Sequence, residues 1–505
     1  MQNHEDLSKL ASGAGISLIG RVAGRVFFVI SEIILARFLG PAAFGLYAIG
    51  WTLLRLVGLA APLGLHNGVI RFGAQLWPDS HGKLRDLLQK AFRTASLSSL
   101  TVGAIMFACA GWIEVAFQKP GLAPVIRWFA LGIPLITLLR LAAAATRVSL
   151  RMKYSVIAED FVQPLLDLVF IIVVYFLSAG ITGALIAGIA SLALAMLLAF
   201  YYLRQVFAKA FQAVPEFSLS GKALLAFSLP TALTGFFATA IIWVDRLIVG
   251  YFRLPAEVGI YQAASQSSTF FAIILTAMNV IFTPMISDLY HKGEHKRLED
   301  LYRVSTKWAL YISLPVLLVI LFIPELLMKV VFGQAYAAGA LPLLILNLGQ
   351  LVNVATGAVG FLLIMTGHQN RWLVYSALAL VGNIVMNLVL IPRYGVVGAA
   401  ISTSTAVAAL FLVGLLDVRL SLKLWPYDRR YLKGLAAALL SGLGILALRS
   451  FEIQSDLLAL IMISAAAVLV FVLVLLALRL DEEDLTLLRQ AAVRLKTLSR
   501  GNSNP

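Results

Sequence analysis

Residues 38–47 read FLGPAAFGLY, and residues 252–261 read FRLPAEVGIY. Each joins the end of one apolar run to the start of the next, and each sets a proline four residues before a glycine and six before a tyrosine: Pro41, Gly45 and Tyr47 in one, Pro255, Gly259 and Tyr261 in the other. The same offset of 214–215 residues recurs outward from this pair. Lys83-Leu84-Arg85-Asp86-Leu87 matches Arg297-Leu298-Glu299-Asp300-Leu301, Phe117 matches Phe332, and Gly180, Gly183 and Ala184 match Gly395, Gly398 and Ala399. Each match is short. A single offset with one single-residue slip, held over about 150 residues, identifies an internal repeat.

What is repeated is a set of apolar helices. The chain has 505 residues, 60% hydrophobic and 13% charged, with a mean hydropathy of +0.91. Soluble domains carry about 25% charged residues, so the composition is that of an integral membrane protein. Disordered, collagenous and disulfide-framework classes are excluded with the soluble one. The single cysteine, Cys109, excludes an internal disulfide and any cysteine-based metal site. Fourteen runs are long enough to span a bilayer as helices: 13–37, 43–65, 89–117, 124–148, 156–178, 181–203, 224–251, 262–288, 306–331, 339–366, 371–391, 396–418, 432–450 and 457–479.

The net charge of +15 reflects topology, and no nucleic-acid partner is expected. With both termini placed inside, the inside loops hold 28 of the 40 Lys and Arg, the outside loops 7, and five lie within spans. That bias follows the rule that cytoplasmic loops are basic. The repeat offset covers six helices, an even number, so the two copies share one orientation. The expected fold is therefore all-α and polytopic: an N-terminal lobe at 1–220 (with a linker at 204–222), a second six-helix pseudo-symmetric lobe at 221–427, two further helices in 428–480, and an amphipathic cytoplasmic tail at 481–505.

Charges inside the spans mark the candidate site, because they are costly in lipid and face a cavity or a partner. On the first helix Arg21, Arg25 and Glu32 fall within about 40° of one face, beside Gly20 and Gly24. Arg55 lies on the second helix. Guanidinium groups are permanently charged forks suited to phosphate oxygens; the alternative is pairing with Glu32 or another acid. Arg140 shares a face with Arg147 and Arg151, and either guides an anionic headgroup or pairs with the fifth span. That span carries Glu159, Asp160 and Asp167, open to ion coupling or to ion pairing. Asp245 and Arg246, on the seventh helix, are expected to point about 100° apart. Arg246 aligns with Glu32 under the repeat, which suggests a salt bridge between the lobes as a gate.

The run GRVAGRVFFVISEIILARFLGPAAFGLYAI from Gly20, the RFG after the second span and the FGQAY at 332–336 resemble the polysaccharide-biosynthesis flippases. These Wzx-type proteins belong to the multidrug/oligosaccharidyl-lipid/polysaccharide exporter superfamily. The resemblance covers nearly the whole chain. It implies translocation of an undecaprenyl-pyrophosphate-linked oligosaccharide, such as an O-antigen or exopolysaccharide repeat unit, across the bacterial inner membrane by alternating access. The partners it implies are that substrate, membrane lipids and other polysaccharide-assembly proteins. The related lipid II flippases place arginines on their first, second and eighth spans; here the eighth has none, and offers Gln262, Gln266, Ser267, Ser268 and Asn279 instead. No cofactor is expected. The chain carries no ATP-binding loop and no metalloprotease or nucleophile-elbow motif, so any drive would come from a proton or sodium gradient. A drug/cation antiporter of the same superfamily would need an acidic and aromatic site, whereas the first two helices here are arginine-rich, and a membrane polymerase or ligase would need a large outer loop, whereas the outer loops here are all short.

Overall fold

The computed structural model describes residues 2–149, 152–268, 270–451 and 453–478, and every regular element among them is a helix. The expected tail helix at 481–505 lies outside the described residues, as do Arg151 and the side chain of Asn279. Ten described helical segments are long and apolar enough to cross a membrane, or eleven with a segment bent by 59° between Gly221–Phe237 and Thr239–Phe252.

The difference from the fourteen apolar runs has a local cause. Two of the ten segments, Gly20–Leu76 and Gln369–Leu422, are 57 and 54 residues long, roughly 80 Å or more against a hydrocarbon layer of about 30 Å. Each is broken by a glycine, Gly40 (φ 70°, ψ 169°) and Gly395 (φ 59°, ψ −137°). The breaks fall where the first run gives way to the second and the eleventh to the twelfth. Gly40 takes a left-handed φ that a side chain would strain, and Pro41, lacking an N–H, starts the next helix without leaving a donor unmet. The described residues of the eighth run lie in the helices Pro255–Ser268 and Phe270–His291, on either side of residue 269, which is outside the described residues.

The repeat is visible in the backbone. Gly180 and Gly395, mates at an offset of 215, both adopt φ 59°. Pro41 and Pro255 both open helices that pack directly on one another. At the opposite end of the second run, Gly64 and Gly68 pack on Ser228 and Leu224, and the Arg71 guanidinium lies 4.2 Å from the Phe227 ring centroid. The two halves of the chain thus touch at both ends of the second span.

The connection between them is bolted to the first half. The helix His81–Phe117 receives residues 213–219 as an extended strap. Arg85 Nη1 donates to the Ala213 carbonyl (2.7 Å), the Glu216 N–H to the Gly82 carbonyl (3.2 Å), and Lys90 Nζ to the Leu219 carbonyl (2.9 Å). The Asp86 carboxylate accepts from both the N–H (2.9 Å) and the hydroxyl (2.7 Å) of Ser218, and from Lys90 (2.6 Å). One residue on, the Ser220 hydroxyl caps the next helix at the Ala223 N–H (3.1 Å).

Candidate functional site

Gly20 and Gly24 let the first helix lie directly against the fifth span. A Cβ on Gly24 would strike the Asp160 carbonyl, and one on Gly20 would sit 2.5 Å from Val156. The stretch they touch, Val156–Val162, is a π-helical turn. Such turns hold an extra residue within a helix and re-aim its side chains. Here Asp160 turns to the first helix and Glu159 to the fourth.

The four arginines expected to bind substrate all line one cavity of about 180 Å³, walled also by Phe28, Trp51, Glu159, Asp160 and Gln163. They do not share one state. Arg21 Nε pairs with Asp160 Oδ2 at 3.3 Å. Arg140 lies 3.9 Å from Glu159 Oε1 and 3.4 Å from the Gly58 carbonyl. Glu159 is shared with Arg147 at 3.2 Å, so Arg140 and Arg147 converge on one acid of the fifth span. Arg25 and Arg55 form no ion pair among the described residues. They lie over aromatic faces instead: Arg25 is 5.4 Å from the Phe28 centroid, and Arg55 is 4.8 Å from Trp51, 5.5 Å from Phe28 and 5.9 Å from Trp243. The Arg55 Nε is buried and has no hydrogen-bond partner. Four guanidiniums against two carboxylates leave the wall with surplus positive charge, concentrated at Arg25 and Arg55.

The remaining expected site residues form a second, drier cluster. Ser31 donates to Asp167 Oδ2 at 2.7 Å, and Asp167 Oδ1 is buried without a partner. Glu32 does not meet Arg246 directly. Gln262 stands between them, donating to Glu32 Oε2 at 3.0 Å and accepting from Arg246 Nε. The expected salt bridge is thus a relay through an amide that spans the two halves of the chain. The expectation that Asp245 and Arg246 diverge is also corrected. Arg246, 0% exposed, folds back along its own helix, so that Nη1 reaches Asp245 Oδ1 at 3.1 Å and the Ile242 carbonyl, while Nη2 reaches Ser265. A long side chain overrides a 100° separation between neighbours. Asp245 Oδ2 accepts from Tyr261 (2.5 Å) and Thr403 (3.0 Å). Behind Thr403 stand Asn383 (3.2 Å) and then Asn387 (3.0 Å).

Several of these residues were missed in the sequence. Asn383 and Asn387, one turn apart in an apolar run, carried a signal of their own, as did Trp51 one turn before Arg55. Tyr261 was seen only as part of the repeat.

Residues 34–340 match the family model described as "Polysaccharide biosynthesis protein". The chain belongs to this family. Among relatives of this polysaccharide biosynthesis protein, the probable low-salt glycan biosynthesis flippase Agl15 of Haloferax volcanii is 26% identical over 36% of this chain and 38% of its own length. The putative O-antigen transporter of Shigella flexneri is 24% identical over 74% of this chain and 89% of its own length. The fold of this family member is similar to that of a solved structure of the lipid II flippase MurJ, itself described as inward closed, with a TM-score of 0.72 at 14% identity, over 90% of this chain and 97% of that one.

Proposed function

We propose that this protein is a flippase for an undecaprenyl-pyrophosphate-linked oligosaccharide, working by alternating access in the bacterial inner membrane with both termini cytoplasmic. On this reading the fourteen apolar runs are fourteen crossings, arranged as two six-helix lobes and a C-terminal pair, and the chain catalyses no covalent chemistry. The observation that carries the reading is the cavity of four arginines from the first, second and fourth spans, two of them unpaired. Guanidiniums lie well over aromatic faces and form strong, forked, charge-assisted bonds to phosphate oxygens. An organic cation would be repelled by the same wall, which argues against the antiporter. Other polysaccharide-assembly proteins are proposed partners.

Proton or sodium coupling is assigned to the second cluster. Asp245 accepts from the hydroxyls of Tyr261 and Thr403, with the Asn383 amide donating to Thr403 behind them, and Arg246 and Gln262 connect it to Glu32 in the half that holds the arginines. The experiment is depletion of the protein in its own host, with a membrane-impermeant probe for the sidedness of undecaprenyl-linked lipids. Build-up of a complete repeat unit on the cytoplasmic face supports the proposal. Wild-type surface polysaccharide with no build-up rejects it.

A further inference from the structure

Trp51 lines the arginine cavity one helical turn before Arg55. Its ring is 2% exposed and held on three sides. It stacks on Tyr47 (centroids 6.2 Å apart, planes at 14°) and Phe28 (6.1 Å, 25°), and Phe129 meets it edge-on (5.8 Å, 64°). A ring so fixed has a fixed N–H direction. Yet Trp51 Nε1 is buried with no hydrogen-bond partner, as is Arg55 Nε.

An indole N–H only donates. Buried donors are almost always satisfied, so an orphan on a residue that lines a cavity asks for an acceptor, one that reaches it as the wall adjusts around a ligand. The three aromatic contacts are made by the ring faces and edge and leave the indole N–H unused. The neighbouring unpaired groups, Arg25 and Arg55, are donors too, so the acceptor must arrive with a ligand rich in oxygens. We propose that Trp51 is a further binding residue of this site, its Nε1–H donating to an oxygen of the carrier lipid's pyrophosphate beside the two unpaired guanidiniums. This rests on the flippase reading and adds a neutral donor of fixed direction to a site otherwise read by charge.

The test uses the full chain in lipid nanodiscs, with its eight tryptophans labelled at the indole nitrogen and inorganic pyrophosphate as the probe. Trp51→Phe assigns the Trp51 resonance by its loss; should that variant not fold, the resonance is assigned by elimination through substitution of the other tryptophans. The expected result is a saturable downfield shift of the Trp51 N–H on adding pyrophosphate, with binding about tenfold weaker in Trp51→Phe, the loss of one charge-assisted bond. A Trp51 signal that does not move, while pyrophosphate binds the wild type and is lost in Arg25→Ala with Arg55→Ala, overturns the assignment and leaves the arginine site standing. Wild-type protein that binds no pyrophosphate overturns the arginine site and the assignment together.

Discussion

Gly45 and Gly259, equivalent positions of the internal repeat, pack against each other. A Cβ on Gly259 would strike the Pro41 carbonyl and lie 3.1 Å from the Gly45 nitrogen; one on Gly45 would strike the Pro255 carbonyl and lie 2.9 Å from the Gly259 nitrogen. Each copy offers the same surface to the other, which is the self-complementary contact of a two-fold axis. Nearby, Tyr336 donates to the Ala36 carbonyl at 2.7 Å, and Arg37 to the carbonyls of Val330 and Val331. On the proposed topology this is the outer end of the molecule, and here it is shut.

A side chain at either glycine should therefore hold that end apart. Gly259→Leu is expected to raise the labelling rate of a cysteine placed at Gln262, in a Cys109→Ser background, by an impermeant maleimide added from outside. A rise of about tenfold or more is expected, since neither backbone can yield to a bulky group at this separation. Labelling at the parent rate would show that the contact does not seal the outer end.

The pairing in the cavity ranks the arginines. Arg25→Ala and Arg55→Ala remove unpaired charges and should each weaken pyrophosphate binding by about ten- to a hundredfold. Arg21→Ala and Arg140→Ala, whose charges are already engaged by Asp160 and Glu159, should cost several-fold less. Calorimetric titration of the four variants checks the order. Equal losses in all four would mean that the ion pairs open when the ligand enters.

Asp160→Asn should act in the opposite direction. It releases Arg21 from its partner and adds a net positive charge to the wall, so pyrophosphate should bind several-fold more tightly, and the effect should shrink as salt is raised. Weaker binding would place Asp160 among the ligand's own contacts.

Asp245→Asn keeps the shape of the second cluster and removes its charge. On the proposed assignment, transport measured in vesicles should lose its response to an imposed proton or sodium gradient while pyrophosphate binding stays near the parent value. An unchanged gradient response would move the coupling elsewhere, with Glu32 and Asp167 next.

How much of this was legible beforehand depended on the range of the interaction. The break at Gly40-Pro41 and the shared face of Arg21 and Arg25 are local, and helical periodicity exposes them. The repeat offset placed Pro41 opposite Pro255 in kind, without saying that the two copies would touch. Which acid neutralises which arginine is settled by packing between helices far apart in sequence, and Asp160 reaches Arg21 through a π-turn that no simple periodicity announces. Gln262 was noted as a polar residue in a span without arginine. Its place between Glu32 and Arg246 required the fold.

The strap at 213–219 sets where motion can occur. Because it is anchored to the helix His81–Phe117 up to Leu219, and Ser220 already caps the helix that follows, the two halves are joined there by a single peptide step, about 3.8 Å between Cα atoms. On the proposed alternating-access reading, that point is the pivot of the rocking motion. The strap is exposed at Val214 and Phe217, so on that reading the helices would move as on a lever: those beside the strap would turn almost in place, and those farthest from it would sweep the widest arc.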